Sequence, residues 1–278
     1  MVEGVDERRK MVWLRVDEAS MRRLLATLRG NEPRVAAWYL EHMDEKTNRV
    51  FATQQMLRED YDGFFESRGQ RPPSRSEVTK ALGVLGGRES GRLHPRSVGA
   101  PLLLREGTGV YVVNPTYAFA GTDRAGRRIY ERFTLVARER GVRDACGGWS
   151  ANRWLKAGRD QLVELLASLR RREGQVAGEL LRIMDRDNRV RTTQLAVADA
   201  EGMPGRSATA EAWRLLRGSR TPDGRVLAPV YVAKERYGVY MLNPAFFFKG
   251  TDERGRELGA AFRRIQRETV DLGAAPGD

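Results

Sequence analysis

The feature that most constrains this chain is that it says almost everything twice. RLLATLR at 23–29 matches ELLASLR at 164–170, and MDEKTNRVFATQQ at 43–55 matches MDRDNRVRTTQL at 184–195. Further on, RSEVTKALGVL at 75–85 matches RSATAEAWRLL at 206–216. Last, GVYVVNPTYAFAGTDRAGRRIYERF at 109–133 matches GVYMLNPAFFFKGTDERGRELGAAF at 238–262 without a gap. The offset between the copies is 141 residues at first, then 140, 131 and finally 129. The largest step is a nine-residue surplus in copy one, inside YDGFFESRGQRPP at 61–73, which reads as a loop. Differences confined to loops are what two copies of one fold should show. The organisation expected is a first domain over 1–140 with an N-terminal tail, a linker over 141–157, a second domain over 158–270 and a disordered tail over 271–278.

Each copy yields the same order of elements. The first helix is expected over Asp17–Arg29 and Gly158–Arg172, the second over Pro33–Met43 and Gly174–Met184. Short strands follow at Arg49–Ala52 and Arg189–Thr192. Thr53 and Thr193 are then placed to cap helices over Gln54–Asp60 and Gln194–Ala200, since a hydroxyl accepts a backbone N–H at a helix start. The next helix of copy one has Val78, Ala81, Leu82 and Leu85 at i, i+3, i+4, i+7, an apolar face. Its equivalents are Thr209, Ala212, Trp213 and Leu216. A hairpin closes each unit: Leu102–Arg105 and Val110–Val113 flank a four-residue loop, as do Val230–Lys234 and Val239–Leu242. Three helices and a hairpin is the winged-helix order. The expected fold is therefore mainly α with small β wings (α+β), as two tandem winged helix-turn-helix domains.

Charge points the same way. The chain carries 49 Lys+Arg against 37 Asp+Glu, and only six of the basic residues are Lys. A planar guanidinium forks two hydrogen bonds onto a phosphate or a base edge, and strong basicity is the electrostatic footprint of a polyanion partner. In this fold order the helix at 75–85 and its counterpart would enter the major groove while the hairpins touch the flanking backbone. The candidate DNA-binding residues are Arg75, Ser76, Thr79 and Lys80 in copy one, and Arg206, Ser207, Arg214 and Arg217 in copy two. The helix starts add Thr53, Gln54, Thr193 and Gln194. The hairpins add Arg105, Lys234 and Arg236. Glu211 replaces Lys80, so the copies should not bind identically. For Ser76, Ser207 and Thr79, helix capping is an equal alternative.

The string NRV-x-TTQL-A, a turn, RS-x-T, and a hairpin closing on GVYMLNP-x-FFFKGT resembles the RepL-type plasmid replication proteins. Copy two carries Asn188, Arg189, Val190, Thr193, Leu195, Arg206, Ser207, Gly238, Val239, Tyr240, Met241, Asn243, Pro244, Phe248, Lys249 and Gly250 of it. Copy one keeps Asn48, Arg49, Val50, Thr53, Gly109, Val110, Tyr111, Asn114, Pro115, Phe119 and Gly121. The resemblance implies a winged-helix fold and a role in replicating a mobile element. This chain departs from the pattern by carrying the unit twice, and by Ala120 where copy two has Lys249.

Other chemistry is weakly represented. Cys146 is the only cysteine, and His42 and His94 are the only histidines. They offer no disulfide, no Cys-rich zinc site and no His cluster for metal-assisted cleavage. No Gly-x4-Gly-Lys-Ser/Thr loop occurs, and the acidic turn Asp185-Arg186-Asp187 reads as exposed. The recurring Thr-Asp-x-x-Gly reads as a turn, with the Asp bonding local backbone and the Gly at positive φ. Ile129, Phe133 and Val136, recurring as Leu258, Phe262 and Ile265, form a helical stripe that packs on its own unit or pairs copy with copy. The five tryptophans read as core. The chain is thus expected to be a non-enzymatic, cytoplasmic, nucleoid- or plasmid-associated binder of double-stranded DNA. It should need no cofactor, metal or membrane, and would work with replication proteins or a homodimer partner. A transcriptional regulator and a protein–protein adaptor are the alternatives.

Overall fold

In WLRVD the hydrophobic side chains alternate, which suits a half-buried strand. In the computed structural model these residues form β1 (Trp13–Asp17), with Leu14 and Val16 buried. The structure describes residues 12–52, 56–89, 92–93, 100–142, 149, 154–169, 171–202, 210, 212–213, 216–217 and 230–273. Strand β1 pairs antiparallel with β8 (Trp154–Gly158), which but for Gly158, expected to open a helix, lies inside the segment expected to be a linker. The pairing is centred on Arg15 opposite Lys156. These two residues are equivalents in the repeat, so the register is symmetric: Trp13 faces Gly158 and Asp17 faces Trp154. On the far edge of β1 lies β7 (Phe119–Ala120), with Arg15 opposite Phe119. On the far edge of β8, Lys156 bridges to Phe248, the equivalent of Phe119. A local two-fold axis therefore passes between Arg15 and Lys156.

The helices obey the same axis. Copy one begins with α1 (Glu18–Thr27), capped by Asp17, and α2 (Glu32–Glu41), which has Pro33 in its first turn. Copy two begins with α6 (Arg159–Ser168) and α7 (Arg171–Arg182). Packing is crossed: α1 lies on α7, and α2 on α6. Gly174 and Gly178 let the backbones close in, since a Cβ at 174 would stand 2.3 Å from the Leu25 carbonyl oxygen and one at 178 would stand 3.0 Å from that of Arg22. One hydrophobic core runs through both copies, from Leu24, Trp38 and Tyr39 to Leu162, Leu166 and Leu180. Each such fully buried aliphatic side chain stabilises the fold by about 2 kcal/mol, and here that term belongs to the pair of copies. The α6 boundary is also corrected: α6 stops at Ser168, where Leu169 turns extended and buried, and α7 starts three residues before the expected Gly174.

Beyond this shared centre each copy builds a small sheet. In copy one β2 (Arg49–Phe51), β5 (Leu103–Gly107) and β6 (Val110–Val113) are antiparallel with β6 in the middle. In copy two β9 (Arg189–Arg191), β10 (Val232–Arg236) and β11 (Val239–Leu242) repeat this with β11 in the middle. Both hairpin turns are two residues long, not four, and carry Gly109 or Gly238 at φ 68°. Between β2 and the hairpin stand α3 (Met56–Glu66), α4 (Arg75–Leu85) and a minimal pair β3 (Arg88–Glu89) and β4 (Arg92–Leu93). Their copy-two counterpart is α8 (Gln194–Ala200), and Ala212, Trp213 and Leu216 beyond it are buried. The closing helices are α5 (Asp123–Glu139) and α9 (Asp252–Gly273). Nine helices among the described residues and small antiparallel sheets make this an α+β protein.

Two expectations change here, and one open alternative is resolved. Helix α3 runs six residues past Asp60 because Tyr61, Phe64 and Phe65 fall on one face and bury it, so the surplus in copy one is partly helix. In Thr-Asp-x-x-Gly, Thr122 caps α5, and Gly126 and Gly255 are not at positive φ; Gly121 and Gly250 are. A Cβ at Gly126 would stand 2.3 Å from the Phe119 ring, and one at Gly255 would stand 2.6 Å from Phe248. The Asp residues, each the first of its helix, pair with the central strands instead, Asp123 with Arg15 and Asp252 with Lys156. Finally, the stripes Ile129/Phe133/Val136 and Leu258/Phe262/Ile265 are buried and pack on their own hairpins: Phe133 and Val136 join Leu104 and Val112, and Phe262 and Ile265 join Ala233 and Met241.

Candidate nucleic-acid interface

Helix α4 is built to expose a basic start. Ser74 caps it through a reciprocal pair: its hydroxyl accepts from the Glu77 N–H, and the Glu77 carboxylate accepts from the Ser74 N–H at 2.6 Å. That bond holds the Glu77 carboxyl below its ordinary range. Ala81, Val84 and Leu85 are buried beneath, Val78 and Leu82 half-buried. On the opposite face Arg75, Ser76, Thr79 and Lys80 are exposed. The two hydroxyls are engaged locally, Ser76 with the Ser74 hydroxyl at 3.1 Å and Thr79 donating to the Arg75 carbonyl at 2.9 Å. Arg75 and Lys80 enter no ion pair among the described residues. The face thus offers two cations rather than four polar groups.

The hairpins are held by buttresses that consume some of the arginine. The register shifts at Glu106 and at Glu235. There the Glu106 carboxylate takes Arg49 at 2.7 and 2.8 Å and Arg132 at 2.6 Å, while Glu235 takes Arg189 at 2.7 and 3.1 Å. The Arg189 hydrogen bond keeps the Glu235 carboxyl below its ordinary value. Arg105 is exposed, its Nε donating to the Gly107 carbonyl at 3.2 Å, and Arg236 is exposed beside the turn. Lys234 is half-buried.

In copy two the structure brings three of the expected residues together. Thr193, Gln194 and Lys234, with Leu195, Tyr237 and Tyr240, line a groove of about 450 Å³ between the start of α8 and the hairpin. The Thr193 hydroxyl is used in the cap, accepting from the Ala196 N–H at 3.1 Å, while Gln194 is exposed. Burial raises the Tyr240 phenol, and the charge of exposed Arg217 opposes the rise. Copy one has a smaller hollow, about 220 Å³, beside Arg105, Tyr111 and Arg140. Thr53, Gln54, Arg206, Ser207 and Arg214 lie outside the described residues.

Sequence reasoning passed over Tyr237, which is 88% exposed at the hairpin tip, and Leu195, half in solvent. An aromatic where copy one has Thr108 was the available signal. The paired asparagines prove architectural. Asn48 and Asn188 sit at φ 54° and 56°, a region a short polar side chain tolerates. Buried, they donate to the Ala118 and Phe247 carbonyls at 2.6 and 2.5 Å. Asn114 and Asn243 donate to Pro101 and Val230 at 2.9 Å each. Asp44 and Asp185 accept from local backbone N–H groups in the preceding turn. Among the described residues no cluster of three His, Cys, Asp or Glu groups is placed to hold a metal, and no helix is long and apolar enough to cross a membrane. Comparison of the chain with protein-family models, curated proteins and solved structures gives no match.

Proposed function

We propose that this chain is a sequence-specific binder of double-stranded DNA, made of two winged helix-turn-helix units fused into a pseudo-dimer, and that it starts or controls replication of a plasmid-like element. One observation carries the DNA reading. In copy one the exposed face of α4 presents Arg75 and Lys80, and the hairpin that follows presents Arg105. A helix entering the major groove with a hairpin on the flanking backbone uses this pair of elements. The order β2, α3, α4, β5, β6 with β6 central supports the winged-helix reading of each copy. The replication role rests on the resemblance to RepL-type proteins.

Binding to duplex DNA as a function of salt tests the reading. With six to ten phosphate contacts, affinity should fall by roughly 10³–10⁵ fold between 50 and 200 mM salt. Absence of duplex binding, or binding indifferent to salt, contradicts it. Whether the gene alone sustains a plasmid lacking its own initiator separates replication from regulation of transcription.

A further inference from the structure

The repeat and the strand register together say how the two copies face one another. Residues equivalent by sequence are equivalent in space through an exchange: Arg15 pairs with Lys156, and the register is the same read in either direction. The exchange extends outward. The Phe119 ring of copy one packs edge-on against Trp154 of copy two, centroids 4.9 Å apart, and Phe248 of copy two packs against Trp13 of copy one at 5.1 Å. The helices do the same: α1 of copy one packs on α7 of copy two, and α6 of copy two packs on α2 of copy one. A translation of one copy along the other would give none of these reciprocal contacts. The copies are related by a two-fold axis, and the shared core fixes that relation rigidly.

From this we infer that the DNA target of the chain is an inverted repeat of two unequal half-sites at one fixed spacing. The inference rests on the DNA-binding reading above. Two like readers related by a two-fold axis can engage one duplex equivalently only if their half-sites are also related by a two-fold axis, which is why the symmetry of an operator mirrors that of its protein. A direct repeat would need readers related by translation. Fixed spacing follows because the reading elements hang on one packed centre and not on a tether. The half-sites differ because the faces differ. Copy one offers Lys80 where the sequence of copy two has Glu211, and the hairpin turn has Thr108 in copy one and Tyr237 in copy two.

The test is selection of duplexes from a random pool by the full chain, followed by affinity measurements on the selected site. The expected result is two related but unequal elements in opposite orientation, their centres about 10 base pairs apart or a multiple of that. Five base pairs inserted between them, half a helical turn, should weaken binding at least about 10-fold because the second reader then meets the wrong face. In the same selection Arg75→Ala should relax preference at one element only, by on the order of 10-fold. Elements in direct orientation, a single undivided element, or indifference to the insertion would each overturn the inference while leaving DNA binding intact. No duplex binding in the salt titration would instead remove the DNA reading, and this inference with it.

Discussion

The two copies keep the same contacts around the paired strands and the turns beside them, and differ along their helices and on their outer faces. At the centre the correspondence is close: Trp13 and Trp154, Phe119 and Phe248, Gly126 and Gly255, Asn48 and Asn188, Asn114 and Asn243 each keep their type and their contact. On the outside copy one has a longer α3, and the surplus that follows it reaches across the molecule. Arg68 lies over the Phe64 ring and pairs with Glu164 of copy two at 2.5 Å, and the Gln70 amide donates to the Ala167 carbonyl at 2.9 Å. Copy two reaches back differently, with Lys249 pairing with Glu18 at 2.8 Å where copy one has only Ala120. The side chains that stay fixed between copies are those whose loss would open a gap or strand a buried polar group. Among those that change, Lys80, Arg105 and Tyr237 are exposed, where a substitution costs little stability and alters what the surface can touch.

The largest expected effect comes from separating the copies. Residues 1–142 alone leave α1 without α7 and α2 without α6, so this half should fail to fold as a monomer and instead aggregate or pair with itself. Light scattering with circular dichroism decides it, and a folded monomeric half would break the comparison. Gly174→Ala comes next, since its Cβ would meet backbone rather than a movable side chain. The gain in helix propensity of about 1 kcal/mol should be exceeded, for a net loss of about 2–3 kcal/mol in denaturant unfolding. Gly126→Ala and Gly255→Ala meet aromatic rings and should each cost about 1–3 kcal/mol, to a similar degree. Asn48→Ala and Asn188→Ala should also match one another, at about 2 kcal/mol, because each leaves carbonyls unpaired and puts alanine at positive φ. A clear inequality within either pair would show that the symmetry is geometric but not energetic. The smallest effect is on the outer face. Lys80→Ala should leave stability unchanged and lower the salt slope of DNA binding by about 0.9.

Much of the architecture was legible because it is local. The helix at Gln194–Ala200 is marked by a capping hydroxyl, that at Arg75–Leu85 by an apolar face, and the hairpins by valines around a glycine. The shared sheet was not legible in the same way. Strands β1 and β8 are five residues each, and what makes them strands is a partner 141 residues away. A signal existed: the first repeat register, carried back to Trp13, aligns WLRVD with WLKAG. Read as a linker, the second string hid the most informative contact in the molecule. Helix α3 outruns its expected end for a related reason: Tyr61, Phe64 and Phe65 fall in the stretch where copy one is longer, so the repeat offers no counterpart for their apolar face. At the candidate interface the cations were legible from charge and position. The hydroxyls of Ser76 and Thr79 were not, since their local bonds depend on rotamers that sequence does not specify.

Two sequence copies form one folded unit about a two-fold axis. Calorimetric unfolding of the full chain, set beside the van't Hoff analysis of the same transition, tests it most directly. One shared core predicts a single transition whose calorimetric and van't Hoff enthalpies agree. Two resolved transitions, or a calorimetric enthalpy about twice the van't Hoff value, would mean that each copy unfolds by itself and would contradict the account.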